Sequence, residues 1–156
     1  MFKAILGFSF LTTLAVQAQT PTQANVPYGS HERQALDFYQ AKAELPTPLL
    51  FFIHGGGWMS GDKANPDFLA KCLENGFSVV SINYRLISDA TMAGINPPVK
   101  ACLDDAARAL QFVRSKSLDW HIDRERIAGC GGSAGGFTAL WLAFHPDMAD
   151  TASTDP

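Results

Sequence analysis

Two short apolar runs in this chain end directly in glycine clusters. Residues 49–53 (LLFFI) run into His54-Gly55-Gly56-Gly57-Trp58, and residues 126–130 (RIAGC) run into Gly131-Gly132-Ser133-Ala134-Gly135-Gly136. A short, nearly uncharged run bounded in this way reads as a strand buried on both faces. Buried strands that alternate with helices build a mostly parallel sheet with helices on both sides, and ligands then bind at the carboxyl ends of the strands. Both glycine clusters sit at such ends.

The alternation extends along the chain. Residues 35–39 (ALDFY) alternate weakly, as a strand does. After the first glycine cluster a helix is expected. Asn65 can cap it, Pro66 suits its first turn, Phe68, Leu69, Cys72 and Leu73 share one face, and Asn75-Gly76 stop it. Residues 77–84 (FSVVSINY) read as a β-branched strand, followed by a loop as far as Pro97-Pro98. The next helix has the clearest period in the chain, with Val99, Cys102, Leu103, Ala106, Leu110 and Val113 on one stripe. Residues 134–144 (AGGFTALWLAF) are apolar all round, so that helix is expected to be buried. The predicted order is β-β-α-β-α-β-α.

A chain of 156 residues, 47% of them hydrophobic, can enclose one core. Its 12 basic residues against 15 acidic ones give a net charge of -3, so it carries no basic footprint for nucleic acid. The high apolar content argues against disorder. The 13 glycines show no three-residue period, which excludes collagen. Cys72, Cys102 and Cys130 contain no C-x-x-C pair, so zinc-ribbon and dithiol redox motifs are excluded. Cys72 and Cys102 each fall on the apolar face of an expected helix and read as buried thiols. A disulfide between them stays open if the fold brings them together.

Residues 1–18 read as a secretory signal peptide. Lys3 supplies the positive start, residues 4–16 are apolar, and Val16-Gln17-Ala18 places small residues where a signal peptidase cuts. The apolar run is too short to span a bilayer. The expected location is secreted or periplasmic, with no membrane attachment after cleavage. Residues 19–30 read as a polar linker, 31–146 as the folded domain and 147–156 as a polar tail.

The chemistry lies in the glycine clusters. Three consecutive glycines after a buried strand leave backbone N–H groups uncovered, and such groups can hold a negative oxygen. In the second cluster Gly131, Ser133 and Gly135 satisfy G-x-S-x-G, a sharp strand-to-helix turn that lifts a serine hydroxyl above the sheet. The N–H of Ala134 then points at the oxygen of an attacked carbonyl, and the helix start adds positive potential. Gly129, Gly131 and Ala134 also fit the dinucleotide fingerprint G-x-G-x-x-A, but that fingerprint opens the first βαβ unit and here it comes last. A phosphate-binding Walker loop is excluded, because no Gly-Lys-Ser/Thr follows.

An HGGGW strand end followed by GGSAGG resembles the α/β-hydrolase fold, in its esterase/lipase branch related to hormone-sensitive lipase. The run HGGGWMSGDK at 54–63 is similar to the feruloyl-esterase-like carboxylesterases of that group. Asn83-Tyr84-Arg85-Leu86, Leu103-Asp104-Asp105-Ala106 and residues 123–127 extend the resemblance, which spans roughly residues 35 to 145. The resemblance implies that Ser133 is the nucleophile and that Gly56, Gly57 and Ala134 form the oxyanion hole. It implies acyl transfer from a small-molecule ester, with no metal or organic cofactor.

In this fold the acid and the histidine of the triad follow the serine along the chain. The only downstream histidine is His145, about 18 Å along the helix that Ser133 begins, whereas a general base must lie at about 3 Å. His54 belongs to the glycine loop, where the family uses it for structure. His121 precedes the serine strand, and His31 lies near the start of the domain. The chain therefore reads as the N-terminal half of a secreted carboxylesterase, a partial α/β-hydrolase fold lacking its later strands. The alternative is a non-catalytic remnant or binding module. In either case the strand before Ser133 is expected at a sheet edge, open to self-association.

Overall fold

The computed structural model describes residues 19–64, 66–149 and 152. The signal peptide expected at 1–18 and the cap expected at Asn65 lie outside the described residues. Five strands and four helices follow in the order β1 Gln23–Pro27, β2 Ala35–Tyr39, β3 Thr47–Ile53, α1 Leu69–Glu74, β4 Ser78–Ile82, α2 Ile87–Met92, α3 Val99–Ser115, β5 Ile122–Gly131 and α4 Ala134–Phe144.

The strands form one sheet in the order β1-β2-β4-β3-β5. β3 runs parallel to both β4 and β5, while β2 runs antiparallel to both β1 and β4. The sheet is thus mixed rather than mostly parallel. The short connection at 28–34 cannot make the long crossover that a parallel pair needs, so β1 and β2 join as a hairpin.

Alternation along the strands divides the core in two. Leu49, Phe51 and Ile53 of β3 join Leu36, Phe38, Val80 and Ile82 beneath Cys102, Ala106, Ala109 and Val113 of α3, with Ala139 and Leu142 of α4 beside them. On the other face Tyr39, Val79 and Leu50 meet Leu69, Cys72 and Leu73 of α1. Helices therefore cover both faces, as expected. Each fully buried aliphatic or aromatic side chain here contributes about 1.5–3 kcal/mol of transfer free energy. Cys72 and Cys102 lie on opposite faces of the sheet, which rules out the disulfide left open above. Burial lifts the Cys102 thiol to about 11.

Five details differ from the sequence reading. Gln23–Pro27, within the stretch read as a linker, forms β1. The loop expected before Pro97 contains α2, whose start is closed by Asp89 Oδ2 accepting the Leu86 N–H at 2.8 Å. That helix has six residues, too few to show a period. α1 begins at Leu69 rather than near Pro66. β5 starts at Ile122, four residues earlier than expected, in a polar stretch with no strand pattern. α4 is not fully buried, since Phe137, Leu140 and Phe144 are 54%, 60% and 84% exposed. Only one flank of α4 is covered, because β5 has β3 as its one partner strand among the described residues.

An ion pair ties the segment that follows β4 to the body of α3. Asp105 is 1% exposed and accepts from Arg85 at 2.6 Å (Nη2), 2.9 Å (Nε) and 2.9 Å (backbone N), and from Gln34 Nε2 at 2.7 Å. Its neighbour Asp104 pairs with Lys100 in solvent. Breaking a buried pair strands a charge, whereas an exposed pair contributes little. Asp105→Ala is expected to lower unfolding stability by about 3–5 kcal/mol and Asp104→Ala by less than about 1 kcal/mol in urea titrations.

Candidate active site

Parallel pairing of β3 with β5 sets Ile53 opposite Gly131. The chain leaves both strands at the same end of the sheet, so the loop at 54–58 and the turn at 132–133 emerge side by side. A Cβ built on Gly55 would lie 3.7 Å from the Cβ of Ser133 and 2.7 Å from the Gly132 carbonyl oxygen. The Gly55 backbone and Ser133 therefore lie side by side, with Gly56, Gly57 and Ala134, singled out from sequence, next along the chain.

Ser133 is exposed and adopts φ 52°, ψ -120°, a conformation that costs a non-glycine residue about 1–3 kcal/mol. The surrounding backbone enforces it. A Cβ on Gly135 would sit 2.0 Å from the Ile53 carbonyl oxygen, and one on Gly131 would sit 2.3 Å from the same atom. Only glycine lets α4 begin so close to the end of β3. As the first residue of α4, Ala134 has an N–H with no intrahelical partner, and its helix start carries positive potential.

The opposite loop is held by side chains that the motif itself supplies. The His54 ring stacks on Tyr84 with centroids 4.3 Å apart. Its Nδ1–H donates to the Gly55 carbonyl at 2.8 Å, and Arg33 donates to its Nε2 at 3.4 Å. Burial lowers its pKa, and the Arg33 charge adds to that, against the pull of the Gly55 carbonyl and of Asp62. His54 is thus a neutral strut. Arg33 also donates to the carbonyls of Tyr84 and Gly61, at 2.9 and 3.0 Å. Farther along the loop, Lys63 pairs with Asp37 at 2.8 Å and its N–H donates to Asn83 Oδ1 at 2.7 Å. Asn83 Nδ2 donates to Asp62 Oδ2 at 2.8 Å, and Gly61, at φ 109°, has no room for a Cβ beside His54. Together these contacts account for the G-D-K that closes the HGGGWMSGDK run.

Trp58 packs the loop rather than lining a pocket. Its indole Nε1–H donates to Thr138 Oγ1 at 3.1 Å, and its ring meets Phe137 edge-on at 5.6 Å. Arg33, Tyr84 and Thr138 were missed as site residues from sequence. Thr138 left a trace, as the lone hydroxyl in an apolar helix.

The other histidines stand apart from Ser133. His31 Nδ1 accepts the Arg33 N–H at 3.2 Å, and His121 contacts the Glu44 carbonyl at the opposite end of the sheet. His145 caps α4, with its ring 4.0 Å from that of Trp141 and its Nδ1 donating to the Trp141 carbonyl at 3.0 Å. Among the described residues none hydrogen-bonds the Ser133 hydroxyl. A cavity of 310 Å³ lies between α3, α4 and β5, but it is lined by the far half of α4, including Trp141 and His145, and Ser133 takes no part in it.

The two flanking glycines separate close approach from mere turn chemistry. Gly132 has open space where a Cβ would go, while Gly135 has none. Gly132→Ala is expected to change stability by less than about 1 kcal/mol, and Gly135→Ala to cost about 3 kcal/mol or more, both read from thermal or urea unfolding.

Residues 36–154 match the BD-FAE family model. The chain is 37% identical over 101 residues to the carboxylic ester hydrolase LipN of Mycobacterium tuberculosis, covering 63% of this chain and 25% of that protein. It is 32% identical over 108 residues to versiconal hemiacetal acetate esterase of Dothistroma septosporum, covering 67% of this chain and 31% of that protein. The solved structure of a truncated carbohydrate esterase from gut microbiota superposes with a TM-score of 0.67 at 29% identity, covering 80% of this chain and 43% of that one. The chain thus spans less than a third of the length of these curated relatives and less than half of that solved chain. With its mixed sheet and its strand-turn-helix serine, the chain belongs to the BD-FAE family of α/β-hydrolase esterases.

Proposed function

We propose that this chain carries the nucleophile and oxyanion hole of a serine carboxylic-ester hydrolase acting on a small-molecule ester. The observation that carries the reading is Ser133 in its left-handed turn, with the Gly55 backbone packed against it. Ser133 Oγ forms a bond to the ester carbonyl carbon as the carbonyl electrons move onto oxygen. The N–H groups of Gly56, Gly57 and Ala134 take that negative charge. Collapse expels the alcohol and leaves an acyl-enzyme, and water then releases the acid. The reading uses no metal or organic cofactor and no nucleic acid.

The serine proton must pass to a base, and each of the four histidines is engaged elsewhere. We read the base and its acid partner as lying in a longer parent chain, which the small coverage of the relatives supports. Those same engagements favour, as the second reading, a non-catalytic role for the chain taken alone. The signal-like pattern at 1–18 supports a secreted or periplasmic protein. Among the described residues no helix is long and apolar enough to cross a membrane.

Without a base both steps slow, but an activated ester whose leaving group needs no proton still acylates faster than the acyl-enzyme hydrolyses, so the acyl-enzyme accumulates. Incubation with p-nitrophenyl acetate is expected to acetylate Ser133, as read by peptide mass spectrometry, and Ser133→Ala removes that adduct. Steady turnover stays within about 10³–10⁴-fold of the uncatalysed rate. Acetylation of lysines alone would sink the nucleophile assignment, and turnover at the level of a complete esterase, abolished by Ser133→Ala, would reveal an unnoticed base.

The open edge of β5, beside exposed Phe137, Leu140 and Phe144, supports self-association. Light scattering behind size-exclusion chromatography is expected to show oligomers of the chain from residue 19 onward. A monodisperse monomer overturns this.

A further inference from the structure

Thr138 is the one polar side chain in the apolar helix Ala134–Phe144, and it is 1% exposed. Its hydroxyl faces two ways. It donates to the Ala134 carbonyl at 2.8 Å and accepts the Trp58 indole N–H at 3.1 Å. Ala134 is one candidate oxyanion donor, and Trp58 directly follows the other two, Gly56 and Gly57. One hydroxyl therefore joins the two sides of the site.

Trp58 has φ 58°, a left-handed conformation that a bulky side chain adopts only when its surroundings impose it. Three contacts do so. Thr138 accepts from the indole, Phe137 packs against the ring, and the Trp58 carbonyl accepts the Ile87 N–H at 2.8 Å. The carbonyl bond ties the loop to the start of α2, and the edge-on ring contact with Phe137 has no donor–acceptor direction of its own. The indole hydrogen bond fixes where along α4 the loop stops, because its acceptor is one turn from Ala134. Without that acceptor the indole N–H is left unpaired, so the strained loop relaxes.

We propose that Thr138 is a positioning residue that, through Trp58, sets the spacing between the Gly56–Gly57 and Ala134 sides of the oxyanion hole. The assignment rests on the serine-esterase reading, and it predicts that the hydroxyl, not the bulk, of residue 138 matters. Thr138→Val keeps the shape and removes the hydroxyl, Thr138→Ser keeps the hydroxyl, and Trp58→Phe removes the donor.

Two readouts test it in the full chain. In hydrogen exchange, the Met59 and Ser60 amides, which donate to the Gly56 carbonyl at 3.0 and 3.2 Å, report the loop. Thr138→Val and Trp58→Phe are expected to speed their exchange about tenfold, with Thr138→Ser returning it to the parent rate. In hydrolysis of p-nitrophenyl acetate, the residual rate of a chain without a base comes from the oxyanion hole, so it reads the geometry directly. Thr138→Val is expected to lower kcat about tenfold to a hundredfold and to leave KM within about twofold, and Thr138→Ser to restore kcat. Unchanged loop exchange in Thr138→Val, or failure of Thr138→Ser to restore it, overturns the coupling. An unsubstituted chain with no hydrolysis above buffer would instead overturn the esterase reading, while the exchange data still decide the coupling.

Discussion

The Ile53 carbonyl oxygen is the point about which the site is built. It lies so close to Gly131 and Gly135 that neither position has room for a Cβ. That contact sets how tightly the end of β3 abuts the start of α4, and the rest follows from it. The serine between the two glycines is forced into a left-handed turn. The loop leaving β3 passes over that turn, and Trp58 meets α4 one turn from its start. A single methyl group at this junction would separate the candidate nucleophile from the candidate oxyanion loop. The G-x-S-x-G-G spacing is thus a packing requirement first and a chemical signature second.

Around this junction lies a buried polar frame. His54 with Tyr84 and Arg33, Asp105 with Arg85 and Gln34, and Lys63 with Asp37 all fasten the carboxyl end of the sheet. Taking such charges out of water is costly, and an ion pair offsets that cost only when its remaining hydrogen bonds are made. Among the described residues no buried side-chain polar atom lacks a partner. The frame therefore adds little net stability, but it makes displacement of any one loop expensive, since each displacement would strand a charge. The apolar cores beneath hold the sheet together, and the polar frame holds its upper rim in register.

Much of this was legible in the sequence, for identifiable reasons. The strands at 49–53 and 78–82 declared themselves because both of their faces are covered, and the long helix did so because one of its faces is not. Ser133 and the two glycine clusters were legible because each depends on local backbone chemistry. What escaped were features that depend on partners distant along the chain. β1 is a polar stretch that becomes a strand only by pairing with β2. Arg85 and Asp105, twenty residues apart, stand in two stretches that carry the family resemblance, but their pairing shows only once the fold joins them. The apolar pattern of α4 implied burial all round, yet among the described residues only one flank is covered, leaving Phe137, Leu140 and Phe144 in solvent. Residue type records a preference for burial, and the arrangement of neighbours decides whether it is met.

The strained residues explain why so small a rim needs so many ties. Ser133 and Trp58 both hold positive φ values without being glycine, and each costs about 1–3 kcal/mol. A domain has only about 5–15 kcal/mol of net stability to set against such costs. Each strained position must therefore be held by contacts that would all be lost if it relaxed. Ser133 is held by backbone contact on two sides and Trp58 by hydrogen bonds at both its carbonyl and its indole. Under the proposed esterase reading, that arrangement keeps the serine and the glycine amides in position before any substrate arrives. Acyl transfer requires such readiness, because donors already aimed at a developing charge need no reorganisation as it forms.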